Sequence, residues 1–306
     1  MRSSDNSRLM ACWAGQHFHS TFQAKARGVS ILVANHILFE PNSVTADKNG
    51  RFVIVSGKLF NTKVILANVY APNVDDVSFF DRVFSLLHDL DSHFLILGGD
   101  FNCWLDPTLD RSSGRPGAVS KSALCIQSFL SEFGVSDIWR FLHPQDRQYS
   151  FFSSVHHSYS RIDYIFIDNR LIPQVRSCTY HCIVISDHAP VAMALFLPNA
   201  PQPMRQWRFN SSLLSDTEFV KFIEQKICFF FETNITSDVS ALVIWDTLKA
   251  YLRGEIIAFT ANKKRLSQKD QLDLISKIRE IDQQYAHTQT LELYNKRLEL
   301  KTFDIV

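Results

Sequence analysis

Phe94-Leu95-Ile96-Leu97-Gly98-Gly99-Asp100-Phe101-Asn102 is the stretch on which the fold turns. Four apolar residues stop at two glycines, and an aspartate and an asparagine follow two positions apart. A short continuous apolar run bounded by turn residues is the pattern of a buried strand. Side chains two apart leave a strand on the same face, so Asp100 and Asn102 arrive together at its C-terminal end. A carboxylate can take a proton from water or hold a metal, and an amide can orient water or a phosphate oxygen. The pair therefore suits phosphate-ester chemistry, although a strand followed by an Asx-type turn accounts for the same residues. The flanking sequence has to decide.

Upstream, Gly28 to Val33 reads as the first clear strand, with residues 1–8 polar and only a short apolar patch near Trp13 ahead of it. Arg51 to Leu59 and Lys63 to Tyr70 follow, set off by the turn signals Asp47-Lys48-Asn49-Gly50 and Asn61-Thr62. Three strands joined by short turns predict an antiparallel meander. Asp75 to Leu90 reads as a helix, with Val77, Phe80, Val83, Phe84 and Leu87 on one face and acidic residues in its first turn.

Downstream, Ser112 to Gly117 is a loop, and Ser120 opens a helix carrying Leu124, Phe129, Leu130 and Phe133. Ile162 to Ile167 and Val191 to Leu197 read as buried strands, with another between Arg176 and Ile185. Strands and helices in this order predict an α/β fold, a two-sheet sandwich with mixed sheets, over residues 1–197. Prolines at 198, 201 and 203 mark a linker over 198–206, because proline denies the backbone both helix and ladder hydrogen bonds. Beyond it the pattern is helical: Glu218 to Phe231, Ala241 to Phe259, and one or two longer helices from Ser267 to Leu300. This helical extension, 207–306, mixes both charge signs, as a solvated face does. The cluster Lys263-Lys264-Arg265 is its one basic run of note.

With 306 residues, 46% of them hydrophobic, the chain can bury a full core. A net charge of +1 supplies no global basic field, so nucleic-acid binding would need a local basic face. Six scattered cysteines fit reduced thiols in an intracellular protein. Cys178 and Cys182 flank His181, but strand-like alternation through them favours a buried thiol over a zinc site. The sequence carries no membrane-spanning run and no signal-peptide layout.

Four further strand ends or loops carry polar groups suited to a phosphodiester. Asn68-Val69-Tyr70-Ala71-Pro72-Asn73 offers a phenol and an amide, and Gln148-Tyr149-Ser150-Phe151-Phe152 a hydroxyl. Ser160-Arg161-Ile162-Asp163 begins a strand with a carboxylate, and Ser186-Asp187-His188-Ala189-Pro190 sets a carboxylate beside an imidazole. Singly, Tyr70 reads as a core aromatic, Asp163 as a turn residue and His188 as a satisfied loop histidine. Together, in this order and each at a strand terminus, they read as a site.

Asn-Val-Tyr-Ala-Pro-Asn, Gly-Asp-Phe-Asn, Tyr-Ser-Phe-Phe-Ser, Ser-Arg-Ile-Asp-Tyr-Ile and Ser-Asp-His-Ala-Pro-Val resemble the successive motifs of the endonuclease/exonuclease/phosphatase family, from about Trp13 to Leu197. More narrowly they resemble the apurinic-endonuclease-like domain in the second open-reading-frame proteins of LINE-1-type retrotransposons. Trp207 to Leu214 and Leu248 to Ile257 are similar to the helical connector ahead of the reverse transcriptase in those polyproteins.

The resemblance implies a DNase I-like sandwich and a Mg²⁺-dependent phosphodiesterase, with Mn²⁺ as a substitute, that nicks duplex DNA and needs no small-molecule cofactor. Asp100 would activate water, Asn102 would hold the water or a phosphate oxygen, and His188 would contact the scissile phosphate, polarised by Asp163. Asp187 would sit near the metal; Tyr70, Asn73 and Ser150 would brace the phosphate and the leaving oxygen. Hard oxygen ligands suit Mg²⁺ rather than zinc. The same likeness implies a nuclear site of action, and a helical tail that contacts nucleic acid or a polymerase domain.

In that family a strand ending in asparagine, a helix, and a strand ending in the principal metal-binding glutamate come first. This chain begins past where they are expected, and Glu40 reads as ordinary surface. The expectation is an N-terminally incomplete sandwich with activity in doubt, the alternatives being a catalytically dead binding module and a phosphatase of the same superfamily.

Overall fold

The computed structural model describes residues 13–23, 26–112, 118–183, 186–197, 200, 207–234 and 240–288, with 290, 292, 293, 295, 296 and 299 beyond them. The chain divides into two compact units, one of Met1–Gln202 with Ile281–Val306 and one of Pro203–Glu280. The expected linker at 198–206 lies outside the described residues except for Ala200. The last turns of the C-terminal helix group with the first unit.

The first unit is built on a six-stranded mixed sheet. In spatial order its strands are β3 (Phe39–Ala46), β4 (Phe52–Leu59), β5 (Thr62–Tyr70), β6 (Phe94–Asp100), β10 (Asp163–Asp168) and β7 (Val135–Asp137). Pairing is antiparallel except between β5 and β6, which run parallel. That parallel pair needs a crossover, and helix α1 (Val77–Ser85) supplies it. Proline 41 is tolerated because β3 is an edge strand with a register shift between Pro41 and Ser43.

Alternation sends each strand's side chains to two different cores. Phe52 and Ile54 of β4, with Leu95 and Leu97 of β6, face α1 and helix α2 (Lys121–Glu132), where they meet Phe79, Phe80, Val83, Ile126 and Phe129. Val53 and Val55 face the other way, against the hairpin of β1 (Gly15–Gln23) and β2 (Ala26–Ala34). A third cluster sets Ile167 of β10 against Ile138 and Trp139 of helix α3 (Ile138–Leu142) and against Cys178 and Tyr180 of β11 (Val175–Tyr180), which pairs with β12 (Val191–Leu195). Burying one Phe, Leu or Val contributes roughly 1.5–3 kcal/mol, against about 1 for a helix cap. Packing therefore holds the helices, and the caps set their ends: Asp76 accepts from the Phe79 amide and Ser120 from the Ala123 amide. Asp75 reaches across to accept from the amides of Lys121 and Ser122.

Several expectations are corrected. A strand, β1, precedes Gly28; its polar alternation through His17, His19 and Thr21 hides it from a hydrophobicity reading. The Gly28–Val33 strand pairs with β1 and not with β4, so the three strands form no meander. The helix expected over Asp75 to Leu90 spans Val77–Ser85, with Asp76 as its N-cap and Leu86 as its C-cap. The strand expected between Arg176 and Ile185 is Val175–Tyr180, and residues 184–185 lie outside the described set. Of the loop at 112–117, only Ser112 is described.

The second unit holds α4 (Thr217–Asn234) and most of α5 (Ala241–Thr288), one helix where separate helices over Ala241 to Phe259 and from Ser267 onward were expected; the region carries no proline or glycine after Gly254 to end a helix. Phe219 meets Phe259 edge-on and Phe222 packs on it at a tilt, Phe230 packs on Tyr251, and Lys226 pairs with Glu255 at 3.0 Å, so the helices run antiparallel.

Candidate active site

Three strands end on one rung. Tyr70 of β5 lies opposite Asp100 of β6, and Asp100 lies opposite Asp163 of β10. Directly opposed residues share a face, so the phenol and both carboxylates leave the sheet on the same side. Gly99 makes the approach possible: at φ 133° a Cβ there would come within 2.0 Å of the Val69 carbonyl oxygen. Asn102 then sits in the left-handed region at φ 51°. Its amide nitrogen donates to the Ala71 carbonyl at 2.8 Å and to Asp100 at 3.2 Å, and its backbone N–H donates to Asp100 at 2.9 Å. Asn102 is thus the clamp on Asp100, and its side-chain oxygen is what it has left to offer.

His188 closes the site from a loop. Its Nδ1 donates to Asp163 at 2.8 Å, and because a carboxylate only accepts, that contact places the proton on Nδ1 and leaves Nε2 as the working nitrogen. The Phe151 ring lies 4.8 Å from the imidazole. Tyr180 donates to the backbone carbonyl of Asp163 at 2.5 Å. Potential ligand atoms of Asp100, Asp163 and His188 all lie within 4.8 Å of one another, and each of the three is half-buried.

The electrostatics follow from that crowding. Burial and the charge of Asp163 push the Asp100 carboxyl up to about 6, against the lowering hydrogen bond from Asn102. Burial pulls the His188 imidazole down, but its hydrogen bond to Asp163 and the charges of Asp163, Asp100 and Asp187 outweigh this and raise it. Such a set, two carboxylates and an imidazole short of positive charge, fits a divalent cation held by Asp100 and Asp163.

The remaining expected residues fall elsewhere. Asp187 is exposed and, although close enough to act on Asp100 and His188, is not one of the tight set. Ser150 is fully buried; its hydroxyl accepts from the backbone N–H groups of Ile162 and Asp163, so it anchors the start of β10 and does not face phosphate. Asn73 lies exposed in the loop after β5.

Arg51 is a site residue that the sequence reading misses. Its guanidinium lies 4.9 Å from the centre of the Tyr70 ring and donates to the carbonyls of Tyr70 and Ala71. A signal was present: the two-residue turn at Phe60-Asn61, with both φ values positive, fixes the β4–β5 register and brings residue 51 beside residue 70.

A sheet-end carboxylate pair with an Asp-oriented histidine, on an α/β sandwich, is an arrangement suited to phosphoester chemistry. The chain belongs to the Endonuclease/Exonuclease/phosphatase family, whose sequence profile matches residues 2–188. Its sequence is 30% identical over 220 residues to the Transposon TX1 uncharacterized 149 kDa protein of Xenopus laevis; this covers 69% of the chain and 16% of that relative. Among solved structures it is similar to the AP endonuclease LMAP from Leishmania major, with a TM-score of 0.52 and 19% identity over 64% of this chain and 75% of that one. An AP endonuclease from Archaeoglobus fulgidus gives a TM-score of 0.48 at 18% identity, over 64% and 84% of the two chains. The likeness to the Leishmania enzyme places the fold as DNase I-like. Among the described residues, no helix is long and apolar enough to cross a membrane.

Proposed function

We propose that this chain is the Mg²⁺-dependent DNA-nicking domain of a retrotransposon protein. The observation that carries the proposal is the Asp163–His188 pair facing Asp100 across one rung of the sheet. The family is built on divalent-metal chemistry, the sequence relative is a transposon protein, and oxygen-rich ligands favour Mg²⁺, with Mn²⁺ able to replace it.

Bound there by Asp100 and Asp163, the cation would neutralise charge gathering on the phosphate oxygens. The chain's own groups do the rest. Asp100 takes a proton from the attacking water, which Asn102 orients through its side-chain oxygen. His188, its proton affinity raised by Asp163 and the neighbouring carboxylates against the lowering effect of burial, presents Nε2 to a phosphate oxygen. Tyr70, held under the Arg51 guanidinium, presents its hydroxyl toward the leaving oxygen. A duplex DNA substrate implies that the protein works in the nucleus.

Supercoiled plasmid tests this. Open circles should form with Mg²⁺, not with EDTA, and His188→Ala should slow nicking by about 10³-fold, within the range for losing a positioned acid or base. Equal nicking by wild type and His188→Ala, or none by a folded wild-type chain, would reject the proposal.

A further inference from the structure

The hairpin behind His188 has two faces, and the C-terminal helix occupies the one turned away from the site. Strands β8 (Phe151–Ser153) and β9 (Ser158–Ser160) form a hairpin of three residues a side, too short to be stable alone. Its first strand is sewn to the His188 loop: the Phe152 N–H donates to the Asp187 carbonyl at 2.9 Å, and the Ala189 N–H donates to the Ser150 carbonyl at 2.6 Å. One face of β8 gives Phe151 to the imidazole. Alternation turns Phe152 to the opposite face, where it pairs in register with Tyr159.

That second face is covered by the end of α5. The Tyr285 ring packs 5.9 Å from Phe152 and 6.3 Å from Tyr159, and Tyr285 is only 2% exposed. Two polar contacts fix the approach: the Tyr159 hydroxyl donates to Asp282 at 2.7 Å, and the Tyr285 hydroxyl meets His157 Nδ1 at 3.1 Å. Ile183 and Ala189, which flank the His188 loop, belong to the same buried cluster.

We propose that Tyr285, aided by Asp282, is a positioning residue for His188, acting through the hairpin that the helix end clamps from behind. The helical extension then contributes to the nicking site itself. Where catalysis is concerned the proposal rests on the function argued above, so its test has one arm that needs no activity.

In the full chain, Tyr285→Ala should lower kcat for plasmid nicking by about tenfold or more while leaving KM for DNA within about twofold, since a small misplacement of a reacting group acts on the chemical step. Tyr285→Phe, which keeps the ring, should recover most of kcat. By hydrogen exchange, the amides of Phe152 and Ala189 should open at least about tenfold faster in Tyr285→Ala, with β4 and β5 amides unchanged. Should Tyr285→Ala fail to fold, Asp282→Ala is expected to show the same local pattern at about fivefold, the scale of one hydrogen bond. Wild-type kcat with wild-type exchange at Phe152 and Ala189, or an acceleration spread evenly over the sheet, would overturn the proposal. If the wild-type chain does not nick at all, the functional reading fails and the exchange pattern alone decides this one.

Discussion

Asp100 is where residue-scale physics is most exposed. Its carboxyl, ordinarily near 3.8, is pushed up to about 6 by burial and by Asp163. A carboxyl raised by folding favours the protonated state, so its stabilising contribution is complete below about 3.8 and is lost as the pH rises through about 6. At pH 7.5 without metal, Asp100→Asn is therefore expected to stabilise the chain by about 1–3 kcal/mol while abolishing nicking, measured by thermal melting and plasmid assay. The same shift sets the acid limb of the rate profile: with divalent metal fixed, nicking should rise with pH to a midpoint at or below about 6, since a bound cation favours the ionised carboxyl. A pH–rate series checks this. Asp100, Asn102, Asp163, His188 and Tyr70 are legible in the sequence because each stands where an apolar strand pattern starts or stops, or in a loop of paired polar groups. Ser150 misleads because a hydroxyl that satisfies two backbone N–H groups looks the same in sequence as one facing solvent.

At the scale of elements, the start of β10 is held by charge. Arg161, fully buried, donates to Asp110 at 2.8 and 3.1 Å and to Asp137 at 2.5 Å, and Arg140 adds a contact to Asp110 at 2.8 Å. Replacing Arg161 by methionine leaves two carboxylates facing each other without their main partner. The expected cost is about 3–5 kcal/mol, read from the denaturant midpoint. Four of the six strands of the sheet, β4, β5, β6 and β10, and both covering helices follow from apolar periodicity. Strands β1, β3, β7, β8 and β9 escape because they are polar or three residues long, and only tertiary pairing makes them strands. The role of Tyr285 is hidden for a different reason: 126 residues separate it from Tyr159, and no local pattern reports a contact across that span.

For the whole molecule, the proposed function makes metal binding and folding one equilibrium. A cation that binds only the folded chain stabilises it in proportion to the logarithm of its concentration over its dissociation constant. Millimolar Mg²⁺ should accordingly raise the melting temperature of the wild type and leave that of Asp100→Asn unmoved; an equal rise in both would place the ion elsewhere. The rung of Tyr70, Asp100 and Asp163 also says something about how this gene can decay. Losing a single codon from β5, β6 or β10, other than those of Tyr70, Asp100 and Asp163, keeps the reading frame and removes no named site residue, yet it turns every side chain beyond the gap to the opposite side of the sheet. Such in-frame losses should silence the chain as completely as a stop codon.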